Sequence, residues 1–265
     1  MTLTAGGQNI SIGRTWPVRV KRPSERRSLS RSATRALDVL EYFGEARRPL
    51  RAVEIARALG LQASTTDQLL KTMVDSAHLV FDARTKAYAP SHRLARFGAW
   101  LVESHGGDER LQALVAEVQS ATGAIATLTT PNDLFMQVVD LAGVSPGGQP
   151  TERGLRISMF GSAVGAAYLA TLADAEITRL AIRARLPAAE LAEVLASVER
   201  IRHDGFAEGP SADGAAWSLA TALPRSGLSP IVLGVAGRGE RMRADSARLQ
   251  TVMRAAVADW AAAAG

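Results

Sequence analysis

The chain has no cysteine and only four histidines among its 265 residues. Without thiols there is neither a disulfide framework nor a thiolate zinc site, which fits a reducing compartment. His78, His92, His105 and His203 are scattered without metal-ligand spacing, so no metal is expected. Long apolar runs are missing too: none approaches 18 uninterrupted residues, and the amino terminus lacks the continuous apolar core of a signal peptide. Neither membrane spanning nor secretion is expected, and cytoplasm is the default location.

Catalytic signatures are equally scarce. There is no P-loop, and in "GSAVG" the serine directly follows the first glycine, unlike a G-x-S-x-G elbow. "GVAGRGER" lacks the third glycine of a dinucleotide fingerprint and follows a strand late in the chain, with no later βαβ partner. The residues therefore predict no enzyme and no cofactor.

What is present is apolar content of 47 %, enough to bury the core of one large domain or two ordinary ones, and an uneven charge. Residues 1–35 carry Arg14, Arg19, Lys21, Arg22, Arg26, Arg27, Arg31 and Arg35 against Glu25 alone. That local +7, within a net charge of +5, leaves −2 on the remainder. Such a basic arm either neutralises phosphates or stands as a solvated tail. Gly6, Gly7, Gly13, Pro17 and Pro23, with no sustained period, predict a mostly disordered segment over 1–27.

Beyond the arm the pattern becomes helical. In "SRSATRALDVLEYFG" Ala33, Leu37 and Leu40 recur with Phe43 or Gly44, Ala36 and Val39 widen the stripe, and Gly44 ends it. "AVEIARALG" predicts a short second helix on the row Val53, Ala56 and Leu59, with Ile55 beside it and Gly60 in the left-handed position after its end. In "ASTTDQLLKTM" Ser64 and Asp67 are spaced as a shortened capping box; Thr66, Leu69, Leu70 and Met73 face inward, leaving Thr65, Gln68, Lys71 and Thr72 outward. "HLVFDARTKAYAP" then predicts a hairpin with a turn carrying Asp82, Arg84 and Lys86. Three helices, a tight glycine turn between the second and third, and a basic-tipped hairpin make a winged helix-turn-helix.

A further helical segment with Leu94, Phe97 and Leu101 in one row runs to His105, Gly106 and Gly107. The second half opens with a helix near "DERLQALVAEVQSATG", then strands "AIATLTT" and "LFMQVVD" around a turn at Pro131, Asn132 and Asp133. A strand at "LRIS" leads to a helix at "GSAVGAAYLATL". Helices over 174–185 and 188–202, paired strands "WSLATAL" and "IVLGVAG", and a helix over 241–263 complete an α/β domain. Gly161 and Ser162, opening a helix of small residues with Ala163, either expose N–H groups to a carboxylate or, with Gly165, Ala166 and Ala167, simply allow close packing.

"SLSRSATRALDVLEYF", "RPLRAVEIARALGLQASTTDQLLKTM" and "LARFGAWL", followed by "GLRISMFGSAVGAAYLATL" and "IRHDGFAEGPSADGAAWSLATALP", resemble the IclR family of bacterial transcription regulators over residues 28–264. The resemblance implies an α+β chain: a winged helix-turn-helix over 28–91, a linker helix over 92–106 and a GAF-like α/β effector-binding and oligomerisation domain over 107–265. It implies double-stranded operator DNA as one partner, a small-molecule effector as another, and a homodimer or dimer of dimers. Ala63 and Gln68 stand where the family often has basic residues, so base reading is expected from Gln68 on adenine and from Thr65 and Thr72. Arg51 replaces a Ser or Thr cap, leaving the second helix less well capped while adding a phosphate-seeking charge, and Ala77 replaces the glycine usual before the wing. Arg31, Arg35, Arg47, Arg48, Arg51, Lys71, Arg84 and Lys86 are the phosphate candidates. For the effector the resemblance points to Thr127, Thr129, Met159, Trp217 and Ser218 beside the Gly161–Ala163 helix start, with Trp217 equally suited to plain core. Two readings from other classes remain: an architectural DNA binder whose second domain only oligomerises, and an enzyme on a GAF-like core.

Overall fold

The computed structural model describes residues 20–21, 30–105, 108–144, 151–210, 216–224 and 229–263. The chain divides into two units, 26–103 and 104–265, the second joined by the segment before residue 26. Within that segment the strand β1 (Val20–Lys21) pairs antiparallel with residues 156–157. These two residues are paired within the segment 1–27 expected to be mostly disordered, and its remainder lies outside the described residues.

In the first unit α1 (Arg31–Ala46) is capped by Ser30, whose Oγ accepts from the Ala33 N–H. The helix passes through Gly44, where a stop was expected, and ends at Arg47 in the left-handed region. Its core stripe is Val39 and Phe43 with Ala36, Leu40, Tyr42 and Ala46, whereas Leu37 is 60 % exposed. Of two overlapping stripes, the one through Val39 is buried because it meets Ile55, Leu70 and Tyr88 in a single cluster.

A short strand β2 (Leu50–Arg51) leads into α2 (Ala52–Ala58). Ile55 is fully buried and Leu59 packs beside it, whereas Val53, expected in the inward row, is 61 % exposed. Gly60 at φ +62° supplies the left-handed turn into α3 (Ala63–Asp75). The Ser64–Asp67 capping box does not form: the helix starts one residue earlier with Gln62 at the cap, and Asp67 pairs with Lys71 instead. Thr66, Leu70 and Met73 are buried, and the Thr66 hydroxyl donates to the Gln62 carbonyl at 3.1 Å. The wing strands β3 (Leu79–Asp82) and β4 (Ala87–Pro90) pair as expected, with β2 adding a third strand in the order β2-β4-β3. Ala77 takes the left-handed position of the missing glycine at φ +60°, and its carbonyl accepts from Ser91 Oγ at 2.6 Å. The helix α4 (His92–His105) follows.

The second unit begins with α5 (Asp108–Thr122), then β5 (Ile125–Asn132) and β6 (Phe135–Ala142). β5 runs through Pro131 and Asn132, which were expected in the turn; the turn is Asp133–Leu134, with Asp133 at φ +58°. Next come β7 (Arg156–Ser158), α6 (Ala163–Leu169), α7 (Asp174–Ala184) and α8 (Ala188–Asp204). β8 (Ala207–Pro210), β9 (Ala216–Ala222), β10 (Val232–Arg238), α9 (Gly239–Ala244) and α10 (Ser246–Ala262) complete the fold. The single helix expected over 241–263 is broken at Asp245, and α6 is shorter than the 161–172 segment suggested.

The strands form one antiparallel sheet, β1-β7-β6-β5-β10-β9-β8, covered on both faces. Leu114 and Val118 of α5 and Met253 and Trp260 of α10 pack on one face; α6, α7 and α8 pack on the other. Along β10, Leu233 and Val235 enter the first core while Val232 enters the second. Burial on both faces explains why "IVLGVAG" is a continuous apolar run rather than an alternation.

Candidate nucleic-acid interface and effector site

The helix α3 is pinned by its buried face, and what remains outward is Ser64, Gln68, Lys71 and Thr72, all exposed, with Thr65 half-buried. Gln68 is the free amide of this face. Thr72 Oγ1 donates to the Gln68 carbonyl at 2.9 Å, which commits its proton to the helix backbone. Lys71 Nζ lies 2.7 Å from Asp67 Oδ2, which raises the lysine pKa and offsets its charge locally. Arg31 opens α1 exposed, and Arg35 is half-buried one turn later.

The wing tip is built around Asp82. Its carboxylate accepts from Thr85 Oγ1 at 2.7 Å and from the Arg84 N–H at 2.8 Å, and these bonds hold its pKa below the usual carboxylate value. Lys86 at φ +58° closes the turn, its N–H donating to the Asp82 carbonyl. The turn leaves the Arg84 and Lys86 side chains exposed. Between this tip and the start of α2 lies a cleft of about 480 Å³ whose lining includes Arg48, Arg51, Glu54, Val80 and Arg84. Arg51 gives α2 no side-chain cap, as expected; Glu54 instead reaches back, accepting from the Arg51 N–H at 2.8 Å and pairing with Arg48 Nη2 at 2.7 Å. The Arg48 hydrogen bond, then the Arg51 N–H, hold the Glu54 pKa down.

In the second unit most candidate effector residues share the α6 face, and they are already engaged. Ser162 caps α6, accepting from the Gly165 N–H at 3.1 Å and donating to the Ser158 carbonyl at 2.6 Å. Thr127 and Thr129 donate to the Gly234 and Val232 carbonyls across the sheet, both at 3.4 Å. Thr129, Met159, Ser162 and Ala163 are buried; Gly161 and Ser218 are half-buried. Close packing accounts for the small residues: a Cβ on Gly165 would sit 1.8 Å from the Met159 carbonyl oxygen. Trp217 belongs to the opposite core. Its Nε1 donates to Glu208 Oε2 at 3.3 Å, and the Arg243 guanidinium lies 4.2 Å from its ring centroid.

Residues 32–80 match the IclR helix-turn-helix domain family. Its first unit thus carries a helix-turn-helix of the IclR type. The HTH-type transcriptional regulator XynR of Escherichia coli strain K12 is 24 % identical over 154 residues, a match spanning 56 % of this chain and 60 % of that relative's length. The IclR transcriptional regulator structure from Alicyclobacillus acidocaldarius gives a TM-score of 0.54 at 20 % identity, over 89 % of this chain and all of its own (100 %). The Thermotoga maritima IclR structure gives 0.53 at 13 % identity, over 86 % of this chain and 96 % of its own. At these identities the likeness is one of fold: an N-terminal helix-turn-helix domain followed by an α/β domain with a curled sheet.

Two further residues gain importance from the structure. Glu54 organises both Arg48 and the start of α2, and its signal is the three-residue spacing from Arg51 that a capping box uses. Glu208 gathers Trp217, Ser246 and Gln250, joining β8 and β9 to α10. Asp213, the other acidic residue of "GFAEGPSADG", lies outside the described residues. Among the described residues no group of three or more His, Asp or Glu could hold a metal ion, and no helix is long and apolar enough to cross a membrane.

Proposed function

We propose that this chain is a DNA-binding transcription regulator of the IclR family whose second domain takes a small organic acid or related metabolite that modulates operator binding. The carrying observation is the exposed row Ser64, Gln68, Lys71 and Thr72 on a helix whose other face is fixed in the core beside a left-handed glycine turn. A rigid helix with a free amide and two hydroxyls suits a major groove, where glutamine pairs bidentately with adenine and threonine meets thymine methyls or phosphates. Arg31 and Arg35 and the wing's Arg84 and Lys86 supply the sequence-independent attraction to phosphates. A homodimer places two such helices on half-sites. The effector acts through its differential affinity for arrangements of the paired DNA-binding domains, and a ligand with equal affinity for both shifts nothing.

Selection of bound duplexes from a random-sequence pool tests the reading. It predicts a recovered motif of two related half-sites spaced by about one helical turn or a multiple of it. A pool that stays unselected despite tight binding overturns it in favour of an architectural DNA binder. A set of small carboxylates, screened by Tm shift and then by DNA affinity, tests the second half. An acid that raises Tm and changes DNA affinity supports modulation; one that raises Tm alone overturns it.

A further inference from the structure

The cleft beside the wing differs from the rest of the DNA-binding unit in combining a charged rim with an apolar floor. Residues of β2, β4 and β3 stand in register across it: Arg51 opposite Ala87, which is itself opposite Asp82, with Ala89 opposite Val80 in the next row. Ala87, Ala89 and the 52 % exposed Val80 form the floor. Both carboxylates are already engaged, Asp82 by the wing turn and Glu54 by Arg48 and the Arg51 N–H. Among the described residues no side-chain hydrogen bond or ion pair within 4 Å engages the Arg51 or Arg84 guanidinium; Glu54 acts on Arg51 only through its field, and both arginines border the same cleft. A sugar–phosphate strand has the matching alternation: phosphates that bind guanidinium, separated by deoxyribose faces that cover small apolar side chains.

We infer that this cleft seats one DNA backbone strand beside the groove read by α3, with Arg51 and Arg84 holding its phosphates from two sides and Glu54 withholding Arg48 from them. This rests on the DNA-binding reading above and assigns it a specific backbone site. Arg51 and Arg84 therefore act as one unit, and the three arginines of the cleft count as two. Glu54 is a positioning residue with a charge function: it fixes the start of α2 and cancels Arg48, limiting sequence-independent affinity.

The test is a salt titration of the full chain on a duplex by fluorescence anisotropy. Raising salt from 50 to 200 mM weakens binding by about 3.5-fold for each phosphate contact. With two contacts per chain, wild type should therefore lose about twelvefold more affinity per bound chain over this range than Arg51→Ala/Arg84→Ala, or about 150-fold for a dimer on two half-sites. Arg51→Lys/Arg84→Lys, which keeps both charges, should restore the wild-type steepness. Glu54→Gln keeps an acceptor for the Arg51 N–H but releases Arg48, so its salt loss should exceed wild type by about 3.5-fold per bound chain, or about twelvefold for a dimer. Equal steepness of wild type and the double alanine variant overturns the backbone seat, and an unchanged Glu54→Gln overturns the withholding of Arg48. If the double alanine variant instead loses only binding to a polyglutamate peptide, the cleft serves an acidic protein segment and the inference fails. A wild-type chain with no salt-dependent DNA binding would refute the broader reading rather than this site alone.

Discussion

Helices α3 and α6 each carry a serine at or next to their start, and the two serines do different things. Ser64 is exposed in the first turn of α3 and caps nothing, because the helix begins at Ala63 and the cap position falls to Gln62. Ser162 is buried and doubly bonded, one bond capping α6 and the other tying it to Ser158. The difference lies in the neighbours. Leu70 and Met73 fix one face of α3 and leave the other in water, whereas Gly165, Ala166 and Ala167 let α6 sink against the sheet until its polar groups meet backbone. Polar side chains at helix starts are free for a partner in the first case and spent on the fold in the second.

The largest expected effect comes from forcing α6 outward. Gly165→Ala should cost about 3 kcal/mol or more, because the backbone carbonyl of Met159 occupies the methyl position and cannot rotate away. The same change at Gly44, with nothing within 4 Å of its added Cβ, should stabilise by about 0.5–1 kcal/mol. Denaturant midpoints of the two variants compare a tight helix with an open one. Next in size, Ser162→Ala should cost about 1–2 kcal/mol, since it removes a cap and leaves the buried Ser158 carbonyl without this donor. Ser64→Ala should lie within about 0.5 kcal/mol of wild type. Equal losses at the two serines would break the contrast.

Smaller still is the wing. Ala77→Gly should stabilise by about 1 kcal/mol, since Ala77 sits at φ +60° and glycine carries no Cβ penalty there. A lowered Tm would contradict this. The Asp82 turn adds a pH dependence of known sign. Its folded-state pKa is depressed, so its contribution is present above the unfolded-state pKa and lost as pH falls through the lowered folded value. The Arg84 amide resonance should therefore move at a lower pH than the titration of a free aspartate. In Asp82→Asn that movement should vanish.

The helix-turn-helix was legible because its signals are local: a 3.6-residue period, Gly60 between two helices and a polar turn between two apolar runs. Within it, the face of α1 was not legible, because Leu37 and Val39 belong to overlapping stripes and only contact with Ile55 and Tyr88 selects between them. Short strands escaped for a related reason. β1, β2 and β8 have two to four residues each, and their pairing is set by distant partners such as Ile157, Tyr88 and Leu219. The candidate effector residues were legible as a neighbourhood but not as available groups, since sequence does not reveal that Thr127, Thr129 and Ser162 turn to backbone carbonyls. For Trp217 the plain-core alternative fits, because the two-residue period of β9 sends it to the face opposite Ala220.

The most direct test of the central claim, that the free face of α3 reads base sequence, compares two affinities of Gln68→Ala with those of wild type. One is for a duplex recovered by selection and the other is for a scrambled duplex, both measured by anisotropy at fixed salt. The account predicts that the preference for the selected duplex falls by about tenfold or more per adenine contact, while binding to the scrambled duplex is unchanged. An undiminished preference would contradict the assignment of α3 as the reading helix.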